Sequence, residues 1–240
     1  PIPSRGLGDV YKRQILVSVA TKTIESCRRP CSSMMAFSKK SDKQCDIMNP
    51  NFIPPKRKTK VVFVQLGSPE SPTPKALRKY LREFLGDPRL IDLNPLLWKF
   101  ILNFFVLPFR PKKSAKLYER IWDGESFPLI TNTEEFTNRV RENLKEMDPE
   151  GYVEVNHAFL LSPPYVNEVY DSWEEDLRNG RGATKLMVIP MFPQYSESTV
   201  ASGIDALAKE LSKRVKIPTF EVITNFHRTH AFVDLSLIHI

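Results

Sequence analysis

The sequence predicts an α/β fold, a parallel sheet flanked by helices. Three observations carry that prediction. Four short apolar runs (60–66, 153–161, 185–192 and 219–226) are separated by segments of helical periodicity. Strands alternating with helices imply right-handed crossovers and a parallel sheet. The first runs stop at turn residues, Gly67-Ser68-Pro69 and Ser162-Pro163-Pro164. The chain is 41% hydrophobic and 26% charged, a balance that suits a globular domain and not wholesale disorder.

Taken in order, KVVFVQL (60–66) is rich in β-branched residues and reads as a buried strand. Pro72 and Pro74 lead into KALRKYLREFL, where Leu77, Tyr80, Leu81, Phe84 and Leu85 recur at helical spacing. Pro74 suits a first-turn position, and Gly86-Asp87-Pro88 stops the helix. PLLWKFILNFFVLPF (95–109) has only Lys99 and Asn103 as polar residues between its prolines. A helix apolar nearly all round is either core or touches something greasy. It is too short for a bilayer that needs about 20 residues. KKSAKLYERIW (112–122) is a basic helix, followed by a loop through Gly124 and Pro128. TNTEEFTNRVRENLKEM (131–147) is expected to be a helix capped by Thr131, Asn132 or Thr133, with Glu134 and Glu135 near its N-terminus. VEVNHAFLL (153–161) is the second strand, and VNEVYDSWEEDLRNG (166–180) a helix stopped by Gly180. KLMVIPMF (185–192) is the third strand, ASGIDALAKELSKRV (201–215) a helix, and TFEVITNF (219–226) the fourth strand.

Charge divides the chain. Residues 1–60 carry 13 Lys/Arg against 4 Asp/Glu, and residues 61–240 carry 22 against 24. The net of +9 therefore sits in a tail and the net of −2 in the body, so the folded part has no electrostatic case for nucleic acid. The domain boundaries follow. Residues 1–57 are expected to be a disordered basic tail, 58–235 the folded domain, and 236–240 an artefact. The opening PIPSRGLGDVYKRQ and the closing LSLIHI resemble translated cloning-adapter sequence. The basic tail also has the composition of an organelle transit peptide, but Asp42, Asp46 and the lack of an amphipathic Arg pattern count against that. All three cysteines (Cys27, Cys31, Cys45) lie in the tail, without a second ligand pair at zinc-site spacing.

In a parallel sheet, ligands bind beyond the carboxyl ends of the strands, which directs attention to 66–69, 160–164 and 192–199. QLGSP has neither the glycine spacing of a dinucleotide cradle nor a P-loop lysine. In PQYSEST, Ser198 or Thr199 is expected to cap the following helix, where free N–H groups suit an anion. Gln194 and Tyr195 add hydrogen-bonding groups beside Phe192. None of His157, His227, His230 and His239 falls in a paired ligand pattern, and His157 is expected to be an ordinary satisfied histidine.

These segments together resemble the ferrochelatase family. The likeness covers roughly residues 58–235. It rests on LGSP, PTP, the YLREFLGDPR stretch, LPFRPKKSAKLY, VIPMFPQYSESTVAS and NFHRTHAFVD, in that order. The resemblance implies a Rossmann-like (chelatase-like) domain, the first of two similar ones, with a porphyrin between them. It implies insertion of Fe²⁺, as substrate, into protoporphyrin IX or coproporphyrin III in haem biosynthesis. Carried over by position, Leu66, Ser68, Phe192, Gln194, Tyr195, Ser196, Ser198 and Thr199 would contact the porphyrin, and Arg89 would lie near its propionates. The family's metal-binding His and partner Glu would fall beyond residue 240, with the second domain, so this stretch alone is expected to be inactive. Phe192 replaces the usual Tyr, and Phe159, Leu160 and Leu161 make a wall that is more polar in the family. Glu197 stands where some members carry a cluster-binding Cys, so no iron–sulfur cluster is expected. The implied setting is cytoplasmic, with membrane contact through 93–109. Two alternatives stand beside this reading. One is an α/β module that binds a tetrapyrrole without metallating it; the other is a plain α/β domain in which 95–109 is core.

Overall fold

The computed structural model describes residues 58–180 and 182–237. The expected tail over 1–57, with its cysteines and adapter-like opening, lies outside the described residues, as do residues 238–240. Four strands form one parallel sheet: β1 (Thr59–Gln65), β2 (Val153–Phe159), β3 (Lys185–Pro190) and β4 (Thr219–Val222), in the order β2-β1-β3-β4. The central strand is thus the most β-branched one, and the expected α/β architecture holds.

Seven helices accompany the sheet in the described residues: α1 (Pro74–Leu85), α2 (Pro95–Ile101), α3 (Arg110–Glu119), α4 (Pro128–Met147), α5 (Val166–Arg178), α6 (Ser202–Ser212) and α7 (His230–Leu237). Side chains alternate along β1, so its two faces bury different partners. Val62 and Val64 pack with Val169, Tyr170 and Trp173 of α5 and Leu207 and Leu211 of α6. Val61 and Phe63 pack against Phe136, Val140 and Leu144 of α4, with the Phe63 and Phe136 rings edge to face at 5.0 Å. Each such side chain contributes about 1.5–3 kcal/mol on full burial. At the amino end of the sheet Lys60 is buried, its Nζ 3.0 Å from Glu154 and 3.7 Å from Asp176. This cation ties β1 to β2 and α5, at the end of the sheet opposite the strand exits.

A third cluster lies beyond the sheet. Tyr80, Leu81 and Leu85 of α1 meet Leu102 and Leu107. Thr73 caps α1 by accepting the Ala76 N–H at 3.3 Å, and Pro74 occupies the first turn as expected.

Several expectations need correction. Of the two readings left open for 95–109, exposure favours a surface over core: α2 buries no residue completely, and Leu96, Phe100, Phe104, Phe105 and Phe109 are exposed, while only Leu102 and Leu107 are buried. The segment is not one α-helix, because Leu102–Val106 is a π-helical turn. α4 starts at Pro128, not Thr131, since a proline lacks the very N–H that a first turn leaves unpaired. Thr131 and Thr133 are therefore not caps. Their hydroxyls donate back to the carbonyls of Phe127 (3.5 Å) and Leu129 (2.7 Å), and Glu134 and Glu135 lie beyond the first turn. β4 is half the expected length, because the chain after Val222 turns to the β3 exit, where Phe226 N–H reaches Pro193 O at 3.0 Å. Neither Ser198 nor Thr199 caps the helix after β3. A π-turn, Glu197–Ala201, precedes α6, and Ser196 holds the extended entry position.

Candidate functional site: a cleft at the strand ends

The cleft is organised by the exits of β1 and β2. Gly67 has φ +94, and a Cβ there would lie 2.4 Å from Ser162 Oγ. Only glycine allows both that backbone and that approach. The contact serves a hydrogen bond, since the Ser68 N–H donates to Ser162 Oγ at 3.3 Å. The two exits continue side by side, with Leu160 N–H on Gln65 O and Leu161 N–H on Leu66 O, both at 3.0 Å. The Tyr80 hydroxyl lies 3.5 Å from Gly67 O. Burial, reinforced by Tyr118, raises its pKa so that it stays protonated.

The β3 exit forms the opposite side. Met191 N–H donates to Val64 O at 2.8 Å, and the Phe226 and His227 N–H groups both reach Pro193 O at 3.0 Å. The chain then enters the π-turn. Ala201 N–H bonds to Ser196 O at 3.2 Å, and the Ser196 and Ser198 hydroxyls are 3.1 Å apart.

Between these exits, α1 and α6 lies a cleft of about 510 Å³. Leu66, Phe84, Leu160 and Leu161 supply an apolar wall over the fully buried Phe159; Ser198, Asp205 and Lys209 supply a polar one. Such a mixture fits a ligand with an apolar body and polar edges. At the rim, Arg89 grips Asp205 through two nitrogens: Nε donates to Oδ2, and Nη2 to Oδ1 at 3.0 Å. This hydrogen bond lowers the Asp205 pKa and raises that of Arg89.

Of the residues singled out from sequence, Leu66 and Ser198 line the cleft. Ser68 is buried beside it, and Arg89 is already engaged by a carboxylate. Ser196 and Thr199 shape the π-turn, and the Thr199 hydroxyl is buried without a partner. Phe192 is half-buried, and Gln194 and Tyr195 are exposed; none of the three lines this cleft. Sequence reasoning missed Asp205 and Lys209 and read Ser162 only as a turn residue. Ser162 carried a signal as the polar residue opening the Ser-Pro-Pro exit, whereas Asp205 and Lys209 look like ordinary helix surface.

His157 is not the satisfied histidine expected: its Nδ1 is buried without a hydrogen-bond partner. Burial lowers its pKa; Arg141 lowers it further and Glu134 opposes. It shares the β2 face of Val155 and Phe159, toward α4, and is absent from the cleft wall. Among the described residues no three His, Cys, Asp or Glu side chains group to hold a metal ion.

Fold and site together define an α/β domain with a ligand cleft at the carboxyl ends of its strands. Comparison with known proteins then narrows the class. The ferrochelatase family model matches residues 58–240. The chain is 40% identical over 174 residues to a ferrochelatase of Idiomarina loihiensis, spanning 72% of this chain and 46% of that protein. It is 35% identical over 180 residues to a ferrochelatase of Marinobacter nauticus, spanning 75% and 47%. It is also 35% identical over 178 residues to a coproporphyrin III ferrochelatase of Streptococcus mutans, spanning 74% and 54%. The chain belongs to the ferrochelatase family. It spans about half the length of these curated relatives.

Proposed function

We propose that this chain is part of an enzyme of the lyase class that inserts Fe²⁺ into a porphyrin, protoporphyrin IX or coproporphyrin III, in haem biosynthesis. The observation that carries the reading is the cleft itself, with its apolar wall at the strand ends and polar groups opposite. Metallation needs a planar macrocycle held in place while its pyrrole N–H protons are removed. Leu66, Leu160 and Leu161 supply apolar contact to the ring, backed by the buried Phe159. Ser198, held by the π-turn with Ser196 and Thr199, supplies a hydrogen-bonding group at its edge; Phe192, Gln194 and Tyr195 lie outside the cleft wall and would meet the porphyrin only if it extends past the rim; and Ser68 holds the β1 exit in shape. Arg89 meets a porphyrin carboxylate by exchanging it for Asp205. The base is assigned to the part of the relatives' length that this chain does not span, because His157 faces α4. Glu197 offers oxygen and not the thiolate an iron–sulfur cluster requires. The exposed residues of 93–109 are proposed to touch a membrane surface from the cytoplasmic side. Among the described residues no helix is long and apolar enough to cross a membrane.

An anaerobic assay with Fe²⁺ or Zn²⁺ and porphyrin tests this. The polypeptide ending at Ile240 is expected to form no metalloporphyrin above the protein-free control, and the same region continued to its relatives' full length is expected to turn over. Loss of a positioned base alone costs about 10²–10⁴-fold. Product from the shorter polypeptide would put the base inside this domain. Porphyrin binding without metallation by the longer one would favour the non-metallating module, for which the apolar wall at Phe159, Leu160 and Leu161 speaks.

A further inference from the structure

Arg89 is fixed at its backbone and held at its tip by a partner that also faces the ligand cleft. It lies in the loop between α1 and α2, where its N–H donates to Asp87 Oδ1 at 2.9 Å and the Leu90 N–H donates to Asp87 O at 3.1 Å. Its side chain reaches over to α6 and takes both carboxylate oxygens of Asp205, and Asp205 lines the cleft. A guanidinium fork grips any carboxylate in this way, so Asp205 occupies the place that a ligand carboxylate needs. The two side chains are 39% and 36% exposed, so exchanging one carboxylate for another strands no buried charge. Asp205 also has support of its own. It stands in the first turn of α6, where the helix N-terminus favours an acid. The Arg89 hydrogen bond lowers its pKa against burial, and the charge of Lys209, four residues on in the same cleft wall, lowers it further.

We infer that Asp205 is an internal stand-in for the ligand's carboxylate and Lys209 its receiver: Arg89 passes from Asp205 to the ligand as Asp205 turns to Lys209. The inference rests on the porphyrin reading above, which supplies the carboxylate, and adds the two α6 residues that decide which ligand opens the rim. Both arrangements keep the charges paired. In the closed one Arg89 holds Asp205; in the open one Arg89 holds the ligand, and Asp205 meets Lys209 in the favourable order of acid before base at four-residue spacing. An anionic carboxylate replaces what it displaces. An ester offers Arg89 no such return, so the pair selects for charge at the ligand's edge. The same competition holds the affinity for the acid below what an unengaged Arg89 would give.

The test is a fluorescence titration of the full chain with protoporphyrin IX and with its dimethyl ester. D205N, which keeps the side chain's shape, is expected to tighten binding of the acid about two- to fivefold and to leave the ester unchanged. R89Q should bind acid and ester alike and cancel the effect of D205N. K209Q should weaken the acid about twofold, and D205N/K209Q should bind like D205N, because without Asp205 there is nothing for Lys209 to receive. Unchanged or weaker binding of the acid by D205N would overturn the inference, since Asp205 would then be inert or would aim Arg89 instead of competing for it. Equal weakening by K209Q with and without Asp205 would make Lys209 a direct ligand contact and remove the receiver. If neither porphyrin binds the unaltered chain, the porphyrin reading falls, and the exchange is read with sodium propionate as the carboxylate. The Arg89 Nε–H NMR signal should then respond at lower propionate concentration in D205N than in the unaltered chain, and equal responses would overturn the exchange as well.

Discussion

Gly67 is where a single methyl group would be felt most. Its φ of +94 is strained for any L side chain, and the new Cβ would press on Ser162 Oγ at 2.4 Å. Gly124 has a similar φ of +106 with nothing within 4 Å. Gly124→Ala should therefore cost only backbone strain, about 1–2 kcal/mol. Gly67→Ala should add overpacking of about 1–3 kcal/mol and displace the Ser162 turn. Thermal unfolding of the two variants separates these terms, and equal losses would mean that the Ser162 contact is slack. His157 gives a second residue-scale expectation. Its folded pKa lies below the ordinary 6.5 because burial disfavours the imidazolium. The unfolded chain then binds the proton more readily. Stability is complete above the unfolded pKa and falls as pH drops from about 7 through 6.5 toward the folded pKa. His157→Gln should flatten that part of the stability profile measured by denaturant titration. An unchanged slope would shift the effect to other groups.

At the scale of elements, the parts readable from sequence were those whose cause is local. KVVFVQL followed by Gly-Ser-Pro marks β1 and its exit because β-branched residues and turn residues act where they stand. The two π-turns were not readable with a 3.6-residue template. Leu102 and Leu107 are both buried, yet residues five apart on an α-helix point about 140° away from each other. The π-turn closes that gap through Leu107 N–H on Leu102 O at 2.9 Å. It lets both leucines face α1 while Phe104 and Phe105 face out. The i, i+5 leucine pair was the available signal. In the site, Leu66 and Ser198 were reachable from motif position. The pairing of Arg89 with Asp205 spans 116 residues, and nothing near either residue announces it. α6 offers its own test. Gly203 lies in its first turn under Val64, and an added Cβ would sit 3.9 Å from Val64 Cγ1, ordinary contact. Gly203→Ala should stabilise by about 0.5–1 kcal/mol through helix propensity. A loss of stability would show that the helix must approach β1 more closely than its resting distance.

At the scale of the whole molecule, apolar surface and charge are both distributed unevenly. The sheet and its helices bury one cluster on each face, whereas 93–109 leaves Leu96 80% and Phe109 72% exposed. Exposed apolar patches of this size mark surfaces that meet something. Phe100 and Phe104 form a pair of rings 4.8 Å apart within that patch, and neither belongs to the α1 cluster beneath. Their removal should therefore cost little folding energy, because their contacts are mainly with each other and with solvent. Phe100→Ser with Phe104→Ser should lower the melting temperature only slightly, while weakening liposome or porphyrin binding by tenfold or more, on the order of 1.5 kcal/mol or above at about 25 cal/mol per Å² of apolar area. Both quantities can be followed on one preparation, by thermal unfolding and by vesicle co-sedimentation with a parallel porphyrin titration. Unfolding with binding intact would return the segment to the core, against its exposure. Loss of porphyrin binding with vesicle binding intact would make the segment 93–109 a wall of the ligand cleft and not a membrane contact.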